Sequence, residues 1–259
     1  MVYGEAMISD WTFYAVAVPA VILLGLGKGG FAGIGILSLP LLSMVIPPVV
    51  AVALTLPILM VQDLVSVWAF RRDYSVENLK ILMPGGCLGL AAGYFTAAHV
   101  SGAAVLILVG VISLCFVAYS LLRHAPINEP PQQPDWAKGS LWAIVAGFTS
   151  FIANAGGPPY QVYIVPQKLP PKVYAGTGAI YFAIFNYTKF FAFMHLGFMS
   201  REVMLTSAAL FPLAIAATLG GVWLVKRVPL KIFYKIIYAL TFVMGVKLLW
   251  DGMRGLNLF

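Results

Sequence analysis

The sequence predicts an all-α polytopic membrane protein made of two inverted repeats of about five helical segments each, with broken or short helices at Gly-rich stretches. Three observations predict it. Apolar residues are gathered in membrane-length blocks, two interruptions match between the halves, and the basic residues collect on one face. Of the 259 residues, 61% are hydrophobic and only 10% are charged, with a mean hydropathy of +0.92. A soluble domain averages about 25% charged residues. The apolar blocks are continuous rather than alternating with period two, which argues against a transmembrane barrel.

The chain opens on "MVYGEAMISDW", which lacks the basic n-region of a cleavable signal, so the first apolar run is expected to be retained. Region 11–46 is apolar but interrupted at Gly27-Lys28-Gly29-Gly30. Spans follow at 49–70, 80–98 and 102–122, each with about the 20 residues a crossing needs. The polar, Pro-rich stretch "RHAPINEPPQQPDWAK" (123–138) reads as a cytoplasmic linker between a first repeat, 1–122, and a second, 139–259. Region 139–167 is interrupted at Asn154-Ala155-Gly156-Gly157-Pro158-Pro159, and spans at 173–194, 203–225 and 230–250 complete the chain. No soluble domain remains once these blocks are subtracted.

The halves can be laid on one another. "IPPVVAVALTLPILMVQDLVSVWAF" (46–70) matches "LPPKVYAGTGAIYFAIFNYTKFFAF" (169–193) without a gap, the Pro-Pro pairs coincide, and Asp63 falls on Asn186. Gly29-Gly30 correspond to Gly156-Gly157, and Glu77 and Glu202 each sit shortly before the next span. If each interrupted region counts as two short helices, the odd number of segments per half forces the second half to enter from the opposite side. Under that count one face carries Arg71, Arg72, Lys80, Arg123, Lys138, Lys168, Lys172, Lys226, Arg227 and Lys231, and the other little beyond Arg201 and Arg254. The positive-inside rule then places both termini outside the cytoplasm, with the host expected to be a prokaryotic inner membrane.

The same distribution explains the net charge of +7 without nucleic acid, since no basic stretch with interleaved aromatics exists. Cys87 and Cys115 fall inside apolar runs, so they are expected to be core residues rather than a disulfide or metal pair. No HExxH, P-loop or GxSxG occurs. The expectation is therefore a protein that is not an enzyme, with no metal and no cofactor.

Matching helix breaks in inverted repeats point to a transporter site near the midplane. A half-helix starting inside the bilayer offers unpaired N–H groups and a positive dipole end, and glycine lets an anion come close. On this reading Lys28, Gly29, Gly30, Gly156 and Gly157 bind substrate, with Asn154, Tyr160 and Gln161 as donors. The competing reading makes both breaks surface turns, leaves Lys28 at the cytoplasmic mouth, and uses Asn154, Tyr160 and Gln161 to cap freed backbone. Gln62 and Asp63 late in span 49–70, with Tyr181, Asn186, Thr188 and Lys189 in the matching helix, are candidates for coupling or for lining the cavity. Asp63 is either a proton site, a partner for a basic group such as Lys189, or a carboxylate snorkelling toward Arg71-Arg72. Gly89, Gly93, Gly220 and Gly221 read as close helix contacts, and His195 and Glu202 as solvated.

"GLGKGGFAGIGILSLPLL" with "IPPVVAVALTLPIL", and "NAGGPPYQVYIVPQKLPPKVYAGTGAIYF", resemble the TauE/SafE sulfite exporter family over nearly the whole chain. The resemblance implies inverted repeats and export of small anions such as sulfite, sulfoacetate or related organosulfonates. Lys28 stands where the family pattern has a glycine, and Gln62-Asp63 where it has small or amide residues. Partners follow from this: a small anionic substrate, the lipid bilayer, and a proton if Asp63 couples. Alternatives from the same residues are an anion/proton symporter working as an importer, or a membrane scaffold whose glycines serve only packing.

Overall fold

The computed structural model describes residues 11–31, 34–96, 99–122, 130–195 and 197–256. The chain start, Arg123 and the first part of the linker lie outside the described residues. All regular structure among the described residues is helical. Helix α1 runs Trp11–Lys28; a short 3-10 turn, Ile34–Leu37, leads into α2, Ser38–Leu42. Then come α3 (Pro48–Ala69), α4 (Val76–Thr96) and α5 (Gly102–Leu122). The second half repeats that order of long, short and long segments: α6 (Trp136–Ala153), α7 (Gly157–Ile164), α8 (Pro171–His195), α9 (Arg201–Ala209), α10 (Phe211–Val225) and α11 (Leu230–Gly255).

The boundaries follow from local chemistry. The Pro-Pro pairs start α3 and α8, since a proline in the first turn loses an N–H that had no partner anyway. Asp135 caps α6 by accepting the Lys138 N–H at 2.7 Å, and Ser200 caps α9 by accepting that of Val203 at 3.2 Å. Among the described residues four helices are long and apolar enough to cross a membrane, within α1, α3, α5 and α11, and α9 with α10 makes a fifth as a pair bent by 49°. The bend corrects the reading of 203–225 as one straight span. Pro212 has no N–H to continue the ladder and its ring crowds the carbonyl four residues back, so the helix breaks at Leu210. The spans expected at 80–98 and 173–194 form helices of crossing length, α4 and α8. Glycines and an Asn-Tyr-Thr-Lys stretch keep those two below the apolarity of the others.

Contacts group the helices into two compact units, each drawing on both halves of the sequence: Met1–Arg72 with Gly178–Arg227, and Asp73–Thr177 with Val228–Phe259. In the first unit the core is Phe13, Ala17 and Val21 of α1, Leu54 and Ile58 of α3, and Ala214 of α10. There α1 packs on α10 through glycine: a Cβ on Gly25 would meet Ala217, and one on Gly29 would lie 2.5 Å from the Cα of Gly221. In the second unit α4 pairs with α6 along Gly85, Gly89 and Gly93, whose added Cβ atoms would strike Ser140, Ile144 and Phe151. Likewise α5 pairs with α11 where Gly110 faces Gly245 and Leu249. Lipid tails are as apolar as leucine, so such small-residue seams let helices gain dispersion contact that burial alone does not supply. Gly89, Gly93 and Gly221 are thus the packing glycines the sequence suggested, whereas Gly220 faces open space. Cys87 and Cys115 correct another expectation: both are exposed on the outer faces of α4 and α5, where a membrane helix is as apolar as in its core.

Candidate functional site

At the first break, α1 ends in a tight C-terminal cap. Gly30 takes a positive φ of 128°, its N–H donates to the Gly27 carbonyl at 3.2 Å, and the Phe31 N–H donates to that of Leu26 at 3.3 Å. The Gly29 N–H donates to the Gly25 carbonyl at 2.8 Å. These amides are therefore spent on closing α1, and the break presents a helix C-terminus, the negative end of the dipole. That position favours a cation, and Lys28 occupies it.

From there the Lys28 ammonium reaches Asp63 of α3, Nζ to Oδ1 at 2.6 Å, and lies 5.9 Å from the centre of the Phe182 ring. The other carboxylate oxygen of Asp63 accepts from the Asn186 amide of α8 at 2.7 Å. The two residues that the gapless alignment laid on one another are thus hydrogen-bonded. Ser66, one turn after Asp63, donates its hydroxyl to the Lys28 carbonyl at 2.9 Å and so satisfies an orphan acceptor of the α1 end. Asp63 is fully buried, Asn186 and Lys189 nearly so, and Lys189 lies within electrostatic reach of both Lys28 and Asp63. Sequence reasoning offered Lys189 as a partner of Asp63; Lys28 also forms an ion pair with that carboxylate, a pairing the sequence did not suggest. With both ammonium groups protonated, the cluster holds two cations to one carboxylate inside a membrane-spanning unit.

An open cleft of about 390 Å³ between α3 and α8 reaches Asp63, lined otherwise by Leu64, Val67, Ile184, Tyr187 and Thr188. The Thr188 hydroxyl donates to the Ile184 carbonyl at 2.8 Å, and Tyr181 is buried against Phe185. Gln62 turns away from Asp63 and donates to the Val21 carbonyl at 3.4 Å, which leaves its buried side-chain oxygen without a partner among the described residues. His195 is exposed, as expected, but Glu202 keeps one carboxylate oxygen buried and unpartnered.

The second break lies in the other unit and is built differently. Asn154 takes a left-handed conformation, φ 52°, and its N–H and that of Ala155 both close α6 on the Thr149 carbonyl. Helix α7 then begins at Gly157. Pro158 and Pro159 have no N–H, so the amides of Gly156 and Gly157 are the donors at this start. A Cβ on Gly157 would find only the Met244 methyl, at 4.0 Å. Gln161 accepts from the Thr241 hydroxyl at 2.7 Å, and the Tyr160 hydroxyl donates to the Tyr174 carbonyl at 3.4 Å. Both side chains are buried in bonds that hold the unit together.

Among the described residues no group of three or more His, Cys, Asp or Glu could hold a metal ion. No curated protein and no solved structure matches the chain. The family model described as Sulfite exporter TauE/SafE, however, matches residues 17–248. That match spans nearly the whole chain, which therefore belongs to the sulfite exporter TauE/SafE family, membrane transporters of sulfite or organosulfur compounds.

Proposed function

We propose that the protein is a secondary transporter that exports small anions, such as sulfite, sulfoacetate or related organosulfonates, across the prokaryotic cytoplasmic membrane by alternating access. The observation that carries this reading is the Lys28–Asp63–Asn186–Lys189 cluster, where two lysines share one carboxylate in a buried membrane setting. Charged side chains are costly at that depth and mark pathways rather than packing. Lysine side chains gathered beside a buried carboxylate and amide suit an anion, and the Lys28–Asp63 pair holds one ammonium in place there. The start of α7, where the Gly156 and Gly157 amides are the donors, is a second place at which an anion could be held.

Outward transport is the downhill direction. With the cytoplasm negative, each elementary charge gains about 2.3 kcal/mol per 100 mV on leaving, so an exported anion needs no coupling ion. The repeated order of helices and the Asp63–Asn186 bond between aligned positions support inverted repeats, and the bias of basic residues to one face supports both termini on the non-cytoplasmic side. The testing experiment is flux of sulfite and of sulfoacetate in proteoliposomes at fixed potential, comparing the natural chain with Lys189→Gln. Saturable flux that falls at least tenfold in the variant supports the reading. Equal flux in both removes the cluster from the pathway, and flux that never saturates assigns a channel.

A further inference from the structure

We propose that the adjoining ends of α3 and α10 form a binding site for the headgroup of an anionic phospholipid. The helices pack on one another in the first unit, and four cations follow their last turns: Arg71 and Arg72 after α3, Lys226 and Arg227 after α10. The Lys226 ammonium lies 5.9 Å from the centre of the buried Phe70 ring, which ties the two ends together. Each helix also supplies a tryptophan that carries a guanidinium. Arg71 sits 5.0 Å from the Trp68 ring and donates to the Trp68 carbonyl at 2.8 Å; Arg227 sits 4.2 Å from the Trp223 ring. A guanidinium held over a ring is restrained, and apart from the N–H that Arg71 gives to Trp68 its donors can meet a phosphate, which they match in paired geometry.

No described carboxylate of the unit is paired with this patch. Among the described residues none of the four cations is in an ion pair. The unit's described carboxylates are Asp63, taken by Lys28, and Glu202, in the first turn of α9 with all of α10 between it and Lys226. Asp73 follows Arg72 in the chain and still leaves an excess of cations. The apolar half of a lipid site is present as well. Trp68 and Trp223 are 63% and 55% exposed, and one turn back on each helix Leu64 and Leu219 are exposed too. Tryptophan prefers the level of the headgroups, and basic pockets between membrane helices take acidic ones. Cations above and exposed apolar side chains below describe a phosphodiester with acyl chains, not a free inorganic anion.

The test is native mass spectrometry of the full chain in detergent with equimolar phosphatidylglycerol and phosphatidylcholine. Preferential retention of phosphatidylglycerol is expected. Retention should fall about fivefold for each of Arg71→Gln and Arg227→Gln, corresponding to about 1 kcal/mol per basic residue. It should also fall, though by less, in Arg71→Lys with Arg227→Lys, which keeps the charge but loses the ring-held, paired N–H groups. Equal retention of both lipids overturns the site. So does an equal loss in the control Lys231→Gln with Lys235→Gln, which reports general attraction to a basic face. Displacement by glycerol 3-phosphate at the same concentration also overturns it, since that outcome assigns a small-anion site. None of these readouts depends on transport.

Discussion

Alanine at Gly29 should destabilise the chain and alanine at Gly157 should not, although both glycines sit at helix breaks. A Cβ on Gly29 would lie 2.5 Å from the Gly221 Cα, 2.6 Å from its carbonyl carbon and 2.7 Å from the Val222 nitrogen. All three are backbone atoms of α10, so no side chain can swing aside, and α1 and α10 must separate. Overpacking of this kind costs about 1–3 kcal/mol. At roughly 2–4 °C per kcal/mol for a chain of this size, the melting temperature of Gly29→Ala should drop by about 2–12 °C. At Gly157 the new methyl group meets only the end of Met244 at 4.0 Å, and alanine is at ease in the first turn of a helix, so stability should stay within about 0.5 kcal/mol. The assay is thermal unfolding of the purified chain in detergent, followed by tryptophan fluorescence at one scan rate. A Gly29→Ala protein that melts with the natural chain would refute the close α1–α10 seam.

Gly157→Leu should insert and melt like the natural chain yet lose anion flux in proteoliposomes; normal flux would remove the Gly156–Gly157 amides from the pathway. Lys28→Met leaves the Asp63 carboxylate buried without its direct cation, and should cost about 3–5 kcal/mol, while Lys28→Met with Asp63→Leu recovers much of it. A double variant no more stable than the single one would show that the loss does not come from a stranded carboxylate. In Asp63→Asn, a flux–pH profile identical to that of the natural chain would assign Asp63 to holding Lys28 rather than to carrying protons. Cysteines at position 4 and within 125–135, in a background where the exposed Cys87 and Cys115 have been replaced, should label from opposite faces of the membrane. Labelling from one face would overturn the five-plus-five topology.

Most helix positions were legible because prolines and glycines punctuate an otherwise continuous apolar chain, and the Pro-Pro pairs marked the starts of α3 and α8 outright. The Asp63–Asn186 contact was legible too, since one gapless register put the two positions together. The Lys28–Asp63 pair was not: it depends on where the end of α1 lands on α3, which no periodicity encodes. Burial was the least readable property. Around Cys87 and Cys115 the lipid-facing and protein-facing sides are equally apolar, so hydrophobicity does not separate them. Two signals were present and went unused. Gly25 and Gly29, four residues apart, form a small-xxx-small seam opposite Ala217 and Gly221, and Pro212 announces the bend at Leu210.

The Lys28–Asp63 pair also bears on how the chain enters the bilayer as it is synthesised. Alone, an aspartate near the centre of a segment adds about 2.5–3.5 kcal/mol to the cost of insertion, whereas a lysine at a helix end reaches toward the interface. The two residues are 35 apart in sequence, so the Asp63 carboxylate can meet its cation as soon as α3 packs beside the end of α1. Asn186 comes 123 residues after Asp63, when that pairing is already possible. The first half can therefore leave the translocon with its charges matched, and wait in lipid for an amide that completes the site without having to rescue it.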